Sequence, residues 1–123
     1  MKFDKDLVRK ILLKLEEDQS EPREIVNLQV PGHTHRQISY HVQLLSQAGF
    51  VKAIDASSFD GEDWKPQHLT YEGHEFLDTV RDPQIWRETK DMAGKVGAVS
   101  VQMLWEIGKA VLKAKAATLG ISL

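Results

Sequence analysis

The residues best suited to do chemistry lie between positions 33 and 47. His33, His35 and His41 are imidazoles at short spacing, the kind of set that can ligate zinc or nickel. His41, however, follows His35 by six residues and so turns away from it on a helix, and no carboxylate is close in sequence. Capping and packing are the competing roles for these histidines, and neither a metal nor any other cofactor is expected. Arg36, Tyr40, Gln43 and Gln47 offer different chemistry. At about 100° per residue they form one narrow stripe, opposite Ile38, Val42 and Leu45. Arginine can pair bidentately with guanine, glutamine with adenine, and a tyrosine hydroxyl reaches phosphate, so the stripe suits the major groove of double-stranded DNA. No acid occurs between Glu24 and Asp55, and Lys52 adds a cation just past the stripe. The plainer alternative is a solvated helix face. A third group, His74 with Glu75 and Asp78, holds acid–base residues but has no nucleophile and no phosphate-cradling glycine loop beside it, so the chain is not expected to be an enzyme.

Composition sets the frame around these residues. The 123 residues suit one domain with a short appended element, and 41% apolar with 28% charged residues can close one modest core. Sixteen basic against 18 acidic side chains leave a net charge of −2, a handicap for any protein that grips nucleic acid non-specifically. That total hides three different stretches. Residues 1–50 hold seven basic and seven acidic groups, residues 51–92 hold five and ten, and residues 93–123 hold four and one. The chain has no cysteine, which excludes disulfides, thiolate zinc sites and cysteine nucleophiles. It has no long apolar run and no basic-then-apolar leader, so the expectation is a cytoplasmic protein without a membrane partner.

The elements that must position the stripe are marked locally. A helix is expected over 4–18, where Leu7, Val8, Ile11, Leu12 and Leu15 repeat at three- and four-residue spacing behind an Asp4 cap, with a polar break at 19–22. Residues 24–30 carry Ile25, Val26, Leu28 and Val30 and read as a short strand closed by Pro31-Gly32. Thr34 with Gln37 forms a capping box for a helix over 34–48, and Gly49 supplies a left-handed stop that returns Phe50 to Leu45. Strands over 51–54 and 66–69 make a hairpin with a long acidic tip. Thr70 caps a third helix bearing Phe76, Leu77 and Val80, Asp82-Pro83 restarts a fourth, and a long helix runs over roughly 99–118.

The order helix, strand, helix, hairpin, helix is nearly that of a winged helix, so the expectation is an α+β winged-helix-like domain over 1–81, with a helical C-terminal extension over 82–123. Ile38 through Val51 resembles the recognition helix and first wing strand of ArsR- or MarR-type bacterial regulators, and Leu69-Thr70-Tyr71-Glu72-Gly73 is similar to the motif that ends their wing. More closely, the helix 6–17, the block 38–53, Asp60-Gly61-Glu62-Asp63-Trp64 and the stretch 69–78 resemble a family of small bacterial and phage-encoded proteins. This resemblance covers about residues 4–90 and implies the winged-helix fold and a phage- or prophage-associated setting. The regulators place a short helix immediately before the recognition helix. Here that place is taken by 24–30.

Two further surfaces bear on partners. The hairpin tip carries Asp55, Asp60, Glu62 and Asp63 where regulators present lysine or arginine to DNA, so the wing either contributes nothing to DNA binding or faces a basic protein. Phe59 among these acids is an anchor for such a protein contact, or else folds back beneath the loop; Trp64 and Trp86 are expected to pack. In the C-terminal helix, Leu104, Ile107, Val111, Ala114 and Thr118 follow a heptad seam, and Val101, Trp105, Leu112 and Leu119 add a second apolar ridge. Homodimerisation accounts for so wide an apolar surface. Packing across the first helix, or lying on a membrane surface, would also cover it. Two functions follow: a DNA-binding transcription regulator, contacting DNA through Arg36, Tyr40, Gln43, Gln47 and Lys52, or a protein-interaction module presenting Phe59, Asp60, Glu62 and Asp63.

Overall fold

All five helices among the described residues begin on a side-chain oxygen that accepts a backbone N–H from the first turn, which satisfies donors that a helix start leaves open. Asp4 receives Leu7 for α1 (Lys5–Glu17) and Thr34 receives Gln37 for α2 (His35–Gln47). Thr70 receives Gly73 for α3 (Tyr71–Val80). Asp82 receives Gln84 and Ile85 for α4 (Pro83–Val96), and Ser100 receives Met103 for α5 (Val101–Thr118). The computed structural model describes residues 1–18 and 20–123, so Gln19, the first residue of the polar break expected at 19–22, lies outside it. The result is an α+β chain of five helices and one antiparallel hairpin, β1 (Val51–Asp55) and β2 (Trp64–Leu69). It divides into two compact units, Met1–His74 and Glu75–Leu123.

In the first unit, α1 and α2 pack on each other and on β2. Leu7, Val8, Ile11 and Leu12 of α1, Val42 and Leu45 of α2, and Phe50 form the buried centre. Each contributes about 1.5–3 kcal/mol relative to exposure. The expected strand at 24–30 is a correction: the segment is extended but forms no ladder. Its alternation is real, with Val26, Leu28 and Val30 buried and Ile25, Asn27 and Gln29 exposed. Pairing stops at one bond, Val26 N–H to the Pro66 carbonyl at 2.8 Å. Opposite it, Pro66 has no N–H to return, and the β1/β2 register shifts there, since Lys52 pairs with His68 while Ala53 pairs with Pro66.

The end of α2 is joined to the end of the hairpin by a compact junction. Gly49 takes φ 88°, and Phe50 N–H bonds back to the Leu45 carbonyl at 2.9 Å while Gly49 N–H reaches Ser46 at 3.1 Å, completing the expected Schellman stop. Thr70 then does two things. Its hydroxyl donates to the Gly49 carbonyl at 2.6 Å and accepts from Gly73 N–H at 3.0 Å. Gly73 itself has the Phe50 carbonyl where a Cβ would stand, so α3 starts in direct contact with the residue that completes the stop of α2.

The second unit holds the end of α3 with α4 and α5. Gly108 lets α5 approach closely, because a Cβ there would meet Val80 at 3.0 Å and Thr79 at 3.3 Å. Trp105 Nε1 donates to Thr79 Oγ1 at 3.3 Å, its ring lies 6.4 Å from that of Phe76, and Lys109 Nζ sits 4.0 Å above it. Trp86 is buried, as expected, and Trp64 is half-buried.

Two of the helical glycines, Gly73 and Gly94, should respond to alanine with opposite sign. Gly73→Ala forces apart α3 and the Phe50 carbonyl and should cost about 2–3 kcal/mol, the scale of core overpacking. A Cβ on Gly94 of α4 would meet nothing within 4 Å, so Gly94→Ala should stabilise by about 0.5–1 kcal/mol. Urea unfolding of both variants decides; a Gly73→Ala protein as stable as wild type removes the junction from the account.

Candidate nucleic-acid interface

The inward face of α2 is fixed by more than its apolar residues. Ile38, Val42 and Leu45 are buried, and so are the polar Ser39 and His41. Ser39 Oγ accepts Trp64 N–H at 2.8 Å, tying β2 to the helix. His41 Nδ1 lies 2.7 Å from the Gln37 carbonyl, while its Nε2 lies 2.8 Å from Asp4 N–H. A carbonyl can only accept and an amide only donate, so the proton sits on Nδ1 and the ring is neutral. Phe3 stacks on it at 5.9 Å and Tyr40 meets it edge-on at 5.3 Å. Burial pushes the His41 pKa down, outweighing the Gln37 carbonyl and the Asp4 carboxylate, which favour the charged form.

Asp4 therefore joins the start of α1 both to α2 and to the turn before it. Its amide serves His41, and its Oδ2 accepts from His33 Nε2 at 3.1 Å while Oδ1 caps α1. Burial raises the Asp4 carboxyl, but the Leu7 amide and His33 together hold it below its ordinary value. The third histidine, His35, bonds Asp63 Oδ1 at 3.0 Å. The three histidines thus go to three different structural bonds, and no group of three or more metal-ligating side chains occurs among the described residues.

On the outward face, Arg36 and Gln47 are exposed and Tyr40 and Gln43 half-buried, all on one stripe of α2. No acid lies in the first turn of the helix. Lys52 is exposed at the start of β1, opposite His68. The expected set therefore shares one unit, with the four α2 residues aligned and Lys52 following the helix stop.

The hairpin tip departs from expectation. Asp63 is not a free acid of the tip: it pairs with Lys65 Nζ at 2.9 Å and with His35, and Lys65 first, then His35 against the opposing effect of burial, lower its pKa. It ties the base of the tip to the start of α2. Beyond it the loop is ordered by its own serines, with Ser57 Oγ accepting from Asp63 N–H at 3.0 Å and residues 58 and 61 exchanging two backbone bonds of 3.0 Å. Phe59 rides the corner of that turn at 110% exposure, so it does not fold beneath the loop; Asp60 and Glu62 flank it, exposed. Sequence reasoning missed Ser39 and the His35–Asp63 pair, because both act across elements rather than along one.

The expected dimer seam is likewise divided. Leu104 is fully buried within the chain, so it is corrected: it serves the protein's own core and has no surface to offer a partner. Ile107 and Val111 are half-buried and Ala114 is exposed. No helix among the described residues is long and apolar enough to cross a membrane.

Residues 2–100 match the family described as Hypothetical protein (DUF2513). The chain belongs to this family. The match stops at Ser100, the cap of α5, and so covers the first unit from Lys2 onward together with α4. An "Uncharacterized protein" of Haemophilus influenzae (strain ATCC 51907 / DSM 11121 / KW20 / Rd) is 42% identical over 91 residues, which is 73% of this chain and 76% of that protein. No solved structure matches the chain.

The neutral His41 predicts how acid weakens the protein. Its folded pKa lies below the ordinary value of about 6.5, so the unfolded chain binds the proton first. Stability from this site is complete above about 6.5 and falls as the pH drops below it, by up to about 1.4 kcal/mol per pH unit, until the folded pKa is reached. Urea unfolding between pH 7 and 5 should show this slope in wild type and lose part of it in His41→Leu. Equal slopes would remove the neutral ring from the account.

Proposed function

We propose that this DUF2513 protein is a winged-helix DNA-binding regulator, phage- or prophage-associated, that reads the major groove through α2. The observation carrying this reading is the outward stripe itself: the side chains of Arg36, Gln43 and Gln47 make no hydrogen bond or ion pair within the chain among the described residues, on a helix that is capped at both ends and free of acid. Donor and acceptor groups held rigidly in a row with nothing to bond are what base edges require. The inward bonds of Ser39 and His41 support it further, because they fix the rotation of the helix about its axis. The missing short helix before α2 is replaced by the extended 25–30 segment and the turn at Gly32, φ 82°.

Charge limits how such a protein holds DNA. The unit Met1–His74 carries nine lysines and arginines against twelve acids, a net of −3. Arg36, Lys52, Lys2 and Lys5 are the cations available to phosphate, so affinity must come largely from base contacts. Selection from a random duplex library at moderate salt should enrich a sequence. Arg36→Ala and Gln43→Ala should each cost about 1–3 kcal/mol on that site. The slope of log K against log salt should be no steeper than about −4. Enriched binding that survives the double substitution unchanged would overturn the assignment of α2.

One observation favours the second reading, a protein-interaction module without DNA. Phe59 is wholly exposed between Asp60 and Glu62, an aromatic anchor rimmed by acid and suited to a basic partner. A library that enriches nothing would move the function to this tip.

A further inference from the structure

The second unit has a groove of its own that neither reading uses. α4 and α5 pack side by side and leave an open groove of about 650 Å³ between them. Its floor is apolar or small: Met92, 46% exposed, with Val111 and Ala114. Two acids and two bases line its rim, Glu88 and Asp91 against Lys95 and Lys115, so the rim carries no net charge. Lys115 also faces Asp82 of its own chain at 3.9 Å. Glu88 and Lys95 have no ion pair within the chain among the described residues.

The order of those charges identifies the occupant. A strongly basic or acidic partner would gain nothing from a rim that sums to zero. A two-fold axis, by contrast, sets the same surface against itself in reverse. Glu88 and Lys95 are seven residues apart on α4, two helical turns or about 10 Å. Antiparallel pairing of α4 with a second α4, centred between Asp91 and Met92, therefore brings each Glu88 to the other copy's Lys95 at both ends. Met92 then falls beside the axis, where it can enter the partner's groove against Val111 and Ala114. Two helical hairpins joined in this way make a four-helix bundle, a common solution for burying such grooves.

We propose that the occupant of the α4–α5 groove is a second copy of this chain, held in a two-fold dimer by Met92 and by reciprocal Glu88–Lys95 pairs. This keeps Val111 and Ala114 of the expected seam, replaces Leu104 with Met92, and moves the centre of the interface from α5 to α4. It stands on the second unit alone and does not depend on DNA binding. Sedimentation equilibrium of the full chain should give twice the 14.0 kDa chain mass. Glu88→Lys and Lys95→Glu should each weaken the dimer at least about tenfold, since each sets like charges together twice. The double variant should recover it, and so should an equimolar mixture of the two single variants, in which every pair is again opposite in sign. Both sites are exposed, and circular dichroism confirms that the variants are folded. A monomeric wild type, single variants as dimeric as wild type, or folded single variants that fail to associate when mixed would each overturn the proposal.

Discussion

The first unit depends on the contact between Gly73 and the Phe50 carbonyl. Phe50 lies between α2 and β1 and is itself buried, and its carbonyl accepts Thr70 N–H at 3.0 Å. With Gly73 against that same carbonyl, the end of α2, both hairpin ends and the start of α3 meet within a few residues. Nothing larger than glycine fits there. The Leu69-Thr70-x-x-Gly73 pattern thus has a physical meaning apart from any resemblance: leucine is buried, threonine bonds in two directions, and glycine permits the approach. A hairpin of two strands is marginal by itself. Here it is held at its base by the junction, along β2 by Ser39, and near its tip by the His35–Asp63–Lys65 cluster.

That cluster changes the electrostatics of the hairpin. Four acids near the tip would repel a phosphate backbone, yet Asp63 faces two partners and Asp55 accepts from Ser57 N–H at 3.0 Å. What remains outward is Asp55 at the end of β1 and the pair Asp60 and Glu62 around Phe59. The repulsive charge is therefore concentrated at the far end of the hairpin, away from the base where Lys52 lies. Position along the hairpin matters here because screening at physiological salt acts over roughly 8 Å. A net charge for the whole chain averages over distances at which the individual charges no longer feel one another.

How much of this was legible in the sequence followed the range of each interaction. Thr34 with Gln37, Gly49 with Phe50, and Asp82 with Pro83 are signals contained within a few residues, and the helices they bound lie within a residue or two of expectation. The segment 25–30 was legible in its alternation but not in its pairing, because pairing was decided by a proline and a register shift some forty residues away. Asp63 resembled its acidic neighbours until the fold brought His35 to it. Leu104 was misread for a related reason: a heptad pattern shows which residues share a helix face but not which neighbour covers it. Gly108 and Gly94 illustrate the same limit, since one adjoins Val80 and Thr79 while the other adjoins nothing, and no local pattern separates them.

The proposals for the two units meet in the energetics of recognition. A single α2 presents four candidate base or phosphate contacts on a unit of net negative charge. Good bidentate pairs discriminate by about 1–3 kcal/mol each, but the cost of immobilising the protein on DNA is borne once per binding event and is of comparable size to several such contacts. A module poor in phosphate contacts lacks the usual electrostatic surplus to offset that cost. Joining two copies changes the balance without adding a contact type, because the second stripe then binds at an effective concentration set by its tether. A negatively charged reader has more need of such coupling than a basic one. An interface built from Glu88–Lys95 pairs would itself weaken with salt, so dimerisation and DNA contact would respond to ionic strength in the same direction.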